Sequence, residues 1–497
     1  MNKKILIGIG IAVGIAIIVG LFIYFHKPIV TKEQLIQKFS EFETLYQQKK
    51  NRGFNVSQAE ELLEKAKRAF DKGNYIMANS ILDKAFIALD EAKISEKVKK
   101  DARERLLKVK IASWYQTITD YQAFNRTADD VITHLKDTRT EFVFRAFWRY
   151  KVIPEDCSDL SSPIQRQKCE KAGFSYSDLK EMIREIKKEE PNIIICVGIP
   201  TERINAIERD PITGETFDSE EVWKMALDPK KWGLPITKEE FQADRARLLG
   251  FASGSKYNWK KANAYYPDIT NPKFQKLQLD WAKKLIDCGV DAIWIDMLFA
   301  QARMFYEITG DVNHPAVKES YKAALKLVDE IHKYGLEKYG KYIYVGGWTN
   351  FIEIPDYPNP DFDFVVNMIW EQEVANKTLW EERWDTFFSK VKNRMGNNIL
   401  VLVFMDEAAV RWQDQPLGIF SQQLSKQEQK EYLRKADAFF SEKRKEHNLP
   451  IVFVYPLHGG WMGNNAEILS YGKFKVYDSL APEFETYETI KELAQRK

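Results

Sequence analysis

Hydrophobic positions divide the chain into three zones. Ile5 to Phe25 is apolar throughout, Thr31 to about Val109 spaces its apolar residues at helical intervals among many charges, and beyond Lys110 short apolar runs alternate with amphipathic stretches. The third zone has the pattern of an α/β fold. Its predicted strands are Ile111 to Tyr115, Glu141 to Phe147, Ile193 to Val197, Ala292 to Ile295, Tyr342 to Val345, Phe364 to Trp370, Ile399 to Phe404 and Ile451 to Tyr455. Helical periods lie between them, for example Val317, Tyr321, Leu325 and Val328 after Pro315. Eight strands with intervening helices over 111–497 predict a (β/α)8 barrel, with a doubly wound open sheet as the alternative. An insertion from about Ile199 to Tyr257 follows the third strand, where it would overlie the catalytic face.

The most informative stretch is Asn271 to Met297. Asn271 and Pro272 open a helix, Phe274, Leu277, Trp281 and Leu285 give it an apolar face, and Gly289 stops it. A buried strand follows at once and ends on a carboxylate, Asp296. Parallel α/β folds place their ligands at the carboxyl ends of strands, which makes Asp296 the leading site residue. Glu371 and Asp406 are read as ending the sixth and seventh strands, with Glu373 and Glu407 as neighbours. Two carboxylates flanking one bond are what glycoside hydrolysis requires, one protonating the leaving oxygen while the other attacks or activates water. Asp296 and Glu371 are the expected catalytic pair, without a metal or cofactor.

Several pieces resemble the barrel of endo-α-polygalactosaminidase-like glycoside hydrolases, and one of them also resembles the wider α-galactosidase-type barrels. They are SWYQ at Ser113–Gln116, Thr201-Glu202-Arg203 after the third strand, YYPDITNP at Tyr265–Pro272 and GVDAIWID at Gly289–Asp296, the last being the piece shared with the wider group. The resemblance implies Asp296 as nucleophile or base and Glu371 as acid. Members often carry a second acid soon after the strand-four aspartate, where this chain has Met297, Leu298 and Phe299. Substrate contacts are expected from Trp348, Asn350, Trp370, Asp406, Trp461 and Glu202, since aromatic faces stack on sugar rings. Arg145 and Arg149, near the end of the second strand, are expected to pair with acids.

The remaining zones bear on location. Ile5–Phe25 has membrane-spanning length and follows Lys3 and Lys4, so residues 1–30 read as an uncleaved signal anchor rather than a cleaved leader. The expected location is a single pass through the cell membrane, with the bulk of the chain outside the cytoplasm. Residues 31–110 read as an α-helical hairpin or stalk, with Ser57 and Glu60 as a capping box. Cys157 and Cys169 lie close enough to close a small disulfide ring in an oxidising compartment, whereas Cys196 and Cys288 read as buried thiols. Lys+Arg 74 against Asp+Glu 72 gives a net charge of +2, which offers nothing for nucleic acid to bind. The six histidines form no zinc-hydrolase pair, and neither a phosphate loop nor a G-x-S-x-G elbow occurs. The function expected is a membrane-anchored, extracytoplasmic glycoside hydrolase acting on an α-linked galactose or galactosamine type of polysaccharide. The alternative is a non-catalytic carbohydrate-binding or envelope scaffold protein.

Overall fold

A computed structural model describes residues 30–250, 257–407, 415–461, 470–471 and 474–497, without the side chains of 460, 461, 470, 471, 474 and 475. The proposed anchor at 5–25 therefore lies outside the described residues. Among the described residues no helix is long and apolar enough to cross a membrane. The chain divides into two compact units, 1–99 and 100–497.

In the first unit the helices Lys32–Asn51, Ser57–Asp71 and Tyr75–Asp90 pack together, with Phe39 edge-on to Phe70 and Phe42 edge-on to Phe86. This adds a third helix to the expected hairpin. Ser57 is not a cap but the first helical residue: Val56 is the N-cap, without a side-chain cap bond, and Asn55 holds Ser57 from just before it. The Asn55 side-chain oxygen accepts from the Ser57 backbone N–H at 3.2 Å and from its hydroxyl at 2.7 Å.

The second unit is a closed barrel. Its strands are β1 Ala112–Tyr115, β2 Phe142–Phe144, β3 Ile194–Pro200, β4 Ala292–Asp296, β5 Tyr344–Trp348, β6 Phe364–Met368, β7 Leu400–Phe404 and β8 Ile451–Trp461. Each pairs in parallel with the next, and β8 pairs in parallel with β1. Closure excludes the open sheet. All eight predicted runs are barrel strands, because strands buried on both faces must be apolar along their whole length.

Large rings fill the barrel towards its carboxyl-terminal end. Trp114, Phe144, Trp294, Trp348 and Phe404 contact one another at centroid distances between 5.0 and 6.2 Å. Gly198 on β3 leaves space for Trp294 and for its neighbour Trp148, since a Cβ there would stand 3.0 Å from the first ring and 2.4 Å from the second. This aromatic layer floors the site above it.

The described part of the excursion after β3 carries short elements of its own. It leaves through Ile204–Asn205, forms the hairpin Glu208–Arg209 with Thr216–Phe217, adds the helices Ser219–Met225 and Lys238–Leu249, and returns at Ala264–Tyr265 to pair with Ile204–Asn205.

Candidate active site

A cavity of about 1710 Å³ opens over the carboxyl ends of the strands. It exceeds the range of roughly 300–1,000 Å³ typical of small-ligand pockets, which fits an extended ligand. Glu202, Asp296, Asp406 and Glu407 all line it, as do Trp148, Trp348, Trp370 and Trp380.

Asp296 is the last residue of β4, and three contacts fix it. Its backbone oxygen accepts from the Thr201 N–H at 3.2 Å and from the Thr201 hydroxyl at 2.6 Å. Its Oδ1 accepts from the Trp348 indole N–H at 2.7 Å. The next residue, Met297, turns the chain off the strand in the left-handed region at φ 55°, a costly conformation for a branchless but non-glycine side chain. Burial pushes the Asp296 carboxyl up to about 6, against the opposing pull of the Trp348 bond and the Arg145 charge.

Glu202 is placed beside it by strand register. Pro200 stands opposite Asp296 in the β3–β4 ladder, and Glu202 follows two residues later. Burial, then repulsion from Asp296, raises the Glu202 carboxyl to about 7, and a hydrogen bond with Tyr266 works against that rise. Tyr266 is itself held at both backbone atoms, its N–H donating to Gln242 Oε1 at 2.9 Å and its oxygen accepting from Gln242 Nε2 at 2.8 Å. The YYPD piece of the sequence thus supports Glu202, a role its local pattern gave no reason to assign.

Asp406 and Glu407 have a different environment. The Arg145 guanidinium donates to Asp406 at 3.2 Å and to Glu407 at 2.7 Å. It also lies 5.1 to 5.3 Å from the ring centroids of Trp114, Trp148 and Trp294. Arg145 is in the left-handed region at φ 57°, directly after β2. Both arginines expected to pair do so: Arg149 bonds Glu208 at 2.5 Å and lies 3.5 Å over the Trp281 ring.

Glu371 is placed differently from its expectation. β6 ends at Met368, and Glu371 is the first residue of a short helix, Glu371–Ala375. It does not line the cavity. The physical reason is Glu373, three residues after Trp370, which closes a capping box on the Trp370 N–H at 2.9 Å. Glu373 is fully buried and also accepts from the Trp380 N–H, the Arg383 guanidinium and the Trp384 indole at 2.7 to 2.9 Å. Its carboxylate is structural.

Trp348 and Asn350 line the cavity after β5, and Trp370 lines it after β6. The side chain of Trp461 lies outside the described residues. His458 does not line the cavity; it is buried beneath the rim. There it bonds Asp478 through Nδ1 and faces Asp120 through Nε2 at 3.3 Å, while Arg126 grips Asp478 at 2.6 and 2.8 Å. Asp120 and Asp478 raise the imidazole to about 9 against the effect of burial. Cys157 and Cys169 are joined in a disulfide, while Cys196 and Cys288 are buried thiols. Among the described residues Asp385, Glu446 and His447 are close enough to share a cation, but Lys443 already pairs with both carboxylates.

No family model and no curated protein matches the chain. Solved structures do. The glycoside hydrolase domain of PelA from Pseudomonas aeruginosa is 11% identical over 69% of this chain and 94% of its own, with a TM-score of 0.33. An alpha-amylase from Geobacillus thermoleovorans, complexed with acarbose, is 13% identical over 78% of this chain and 79% of its own, at 0.38. The cyclomaltodextrin glucanotransferase CldA is 13% identical over 78% and 80%, at 0.40. Scores this low leave the functional reading resting on the cavity's own residues.

Proposed function

We propose that this chain is a glycoside hydrolase acting on a polysaccharide, with Asp296 and Glu202 as its catalytic carboxylates. The observation that carries the reading is the placement of these two acids in one aromatic-rimmed cavity, with their protonation pushed to adjacent values of about 6 and about 7. Burial raises both carboxyls, and the Asp296 charge raises Glu202 further, which favours Glu202 as the group that carries the proton. That is the division of labour glycosidic cleavage needs. Glu202 gives its proton to the departing glycosidic oxygen as the bond to the anomeric carbon breaks. Asp296 either forms the new bond to that carbon or takes the proton of the water that does. Asp406 and Glu407 are both engaged by the Arg145 guanidinium, whereas Glu202 and Asp296 are not bonded to it.

The test is release of reducing ends by the full chain from α-linked galactose and galactosamine polymers, the substrate class implied by the family resemblance. Turnover supports the hydrolase. Binding of the same polymers without turnover favours a carbohydrate-binding scaffold.

The proposal extends to location: an anchor at 5–25 with the barrel outside the cytoplasm. The Cys157–Cys169 disulfide fits an oxidising compartment. Recovery of the full chain from the soluble fraction without detergent would count against the anchor.

A further inference from the structure

We infer that the cavity has a second sugar-binding station away from the catalytic acids, built from Trp370, Trp380 and one face of the helix Glu381–Met395, and that it holds a pyranose ring of the chain beyond the bond being cleaved. The inference takes its ligand class from the glycosidase reading. Its geometry is independent of that reading.

The two tryptophans form a corner. Their rings stand at 89° with centroids 5.7 Å apart, and both line the same cavity as Asp296 and Glu202. Trp370 is 40% exposed and Trp380 37%, far more than the barrel's interior rings. Large aromatic surface left open to water inside a cavity is costly unless a ligand covers it.

The corner is also built to hold still. The Arg383 guanidinium lies 4.0 Å over the Trp370 ring, and the buried Glu373 fixes that guanidinium together with the backbone N–H groups of Trp370 and Trp380. One fully desolvated carboxylate thus orders both tryptophans before any ligand arrives. Ordering of this kind reduces the entropy lost on binding.

Polar partners stand next to the rings. Glu382, Thr386 and Lys390 are spaced four apart on the helix, so they share one face, and all three line the cavity. A stacking surface beside a stripe of hydrogen-bonding side chains matches a sugar ring, which has an apolar C–H face and a hydroxylated edge. Asp296 ends β4, whereas the corner follows the end of β6, with β5 paired between the two strands. A ring held at the corner is therefore not the ring being attacked at Asp296. The ligand class is an oligosaccharide or polysaccharide long enough to span both.

The experiment is calorimetric titration of the full-length chain carrying Glu202→Gln, so that ligands are not consumed, with α-linked galactosamine and galactose oligomers from dimer to octamer. Affinity is expected to step up by about three- to tenfold at the length that reaches the corner, the size of one aromatic contact. Trp380→Ala in the same background is expected to remove the step while leaving dimer binding in place. Lys390→Ala, on the exposed helix face and remote from the core, is expected to shrink it and serves where a tryptophan variant does not fold. A step that survives in both variants, or no step at any length, overturns the second station. Loss of hydrolysis as a function is a separate outcome: the step would persist in a chain that, with Glu202 restored, releases no reducing ends.

Discussion

The indole N–H of Trp348 donates to Oδ1 of Asp296 at 2.7 Å, joining the ends of β4 and β5 at the catalytic position. It is one of the groups that hold the Asp296 carboxyl down against burial. Trp348→Phe keeps a ring in place and removes the donor. A hydrogen bond to a charged group contributes about 1.5–3 kcal/mol, so the acidic limb of the pH–rate profile is expected to move up by about one pH unit or more. An unmoved limb would mean that Asp296 does not set it.

Glu202 opposes folding above its own titration. A carboxyl raised from the ordinary 4.5 to about 7 binds more protons folded than unfolded across that interval, so stability falls as pH rises through it. Glu202→Gln is expected to stabilise the chain by about 1–3 kcal/mol at pH 8 and to change little at pH 4, where both states are protonated. Thermal denaturation of the two proteins at the two pH values measures this. Equal melting at pH 8 would show that the carboxyl is not strained by its surroundings.

Arg145 links the acids after β7 to the aromatic floor, pairing with Asp406 and Glu407 while lying against the Trp114 ring. Arg145→Met leaves Asp406 and Glu407 buried beside each other without its charge, at an expected cost of about 3–5 kcal/mol in chemical denaturation. Arg145→Lys is expected to fall between, because an ammonium keeps the charge but cannot fork to two carboxylates and lie against three indoles at once.

His458 has the opposite pH sense to Glu202. Its imidazole is raised from 6.5 to about 9, so its contribution is full below about pH 6.5 and is lost as pH rises through 9. Asp478 is depressed, chiefly by His458 and Arg126 acting against burial, so its contribution is present above about pH 4 and is lost on acidification. His458→Gln is expected to cost about 3–5 kcal/mol at pH 6 and clearly less at pH 10. A penalty independent of pH would show that the histidine acts only by filling space.

The barrel was legible because its strands are buried on both faces and therefore read as continuous apolar runs. Asp296 was legible for a related reason: a helix, a glycine at φ 104° and a buried strand lead directly to it. Glu202 was harder to weigh. Its importance depends on which residue of β3 stands opposite Asp296, and register is a property of two strands, not of either sequence alone. Glu371 misled because a strand-end acid and a helix-opening acid look alike in sequence. The distinguishing signal was Glu373, at capping-box distance from Trp370, which turns the chain into a helix before Glu371 can reach the cavity. The hydrogen-bonding of Tyr266 to Glu202 joins segments more than sixty residues apart, beyond any local pattern.

The most direct measurement compares hydrolysis of an α-linked galactosamine or galactose polymer by the unaltered chain, Asp296→Asn, Glu202→Gln and Glu371→Gln, each shown to be folded. Asp296→Asn and Glu202→Gln are each expected to lower kcat by about a thousandfold or more, in the range lost when a catalytic group is removed. Glu371→Gln is expected to stay within about threefold of the unaltered chain, because Glu371 does not line the cavity. Full activity in Glu202→Gln together with its loss in Glu371→Gln would contradict the assignment of the catalytic pair.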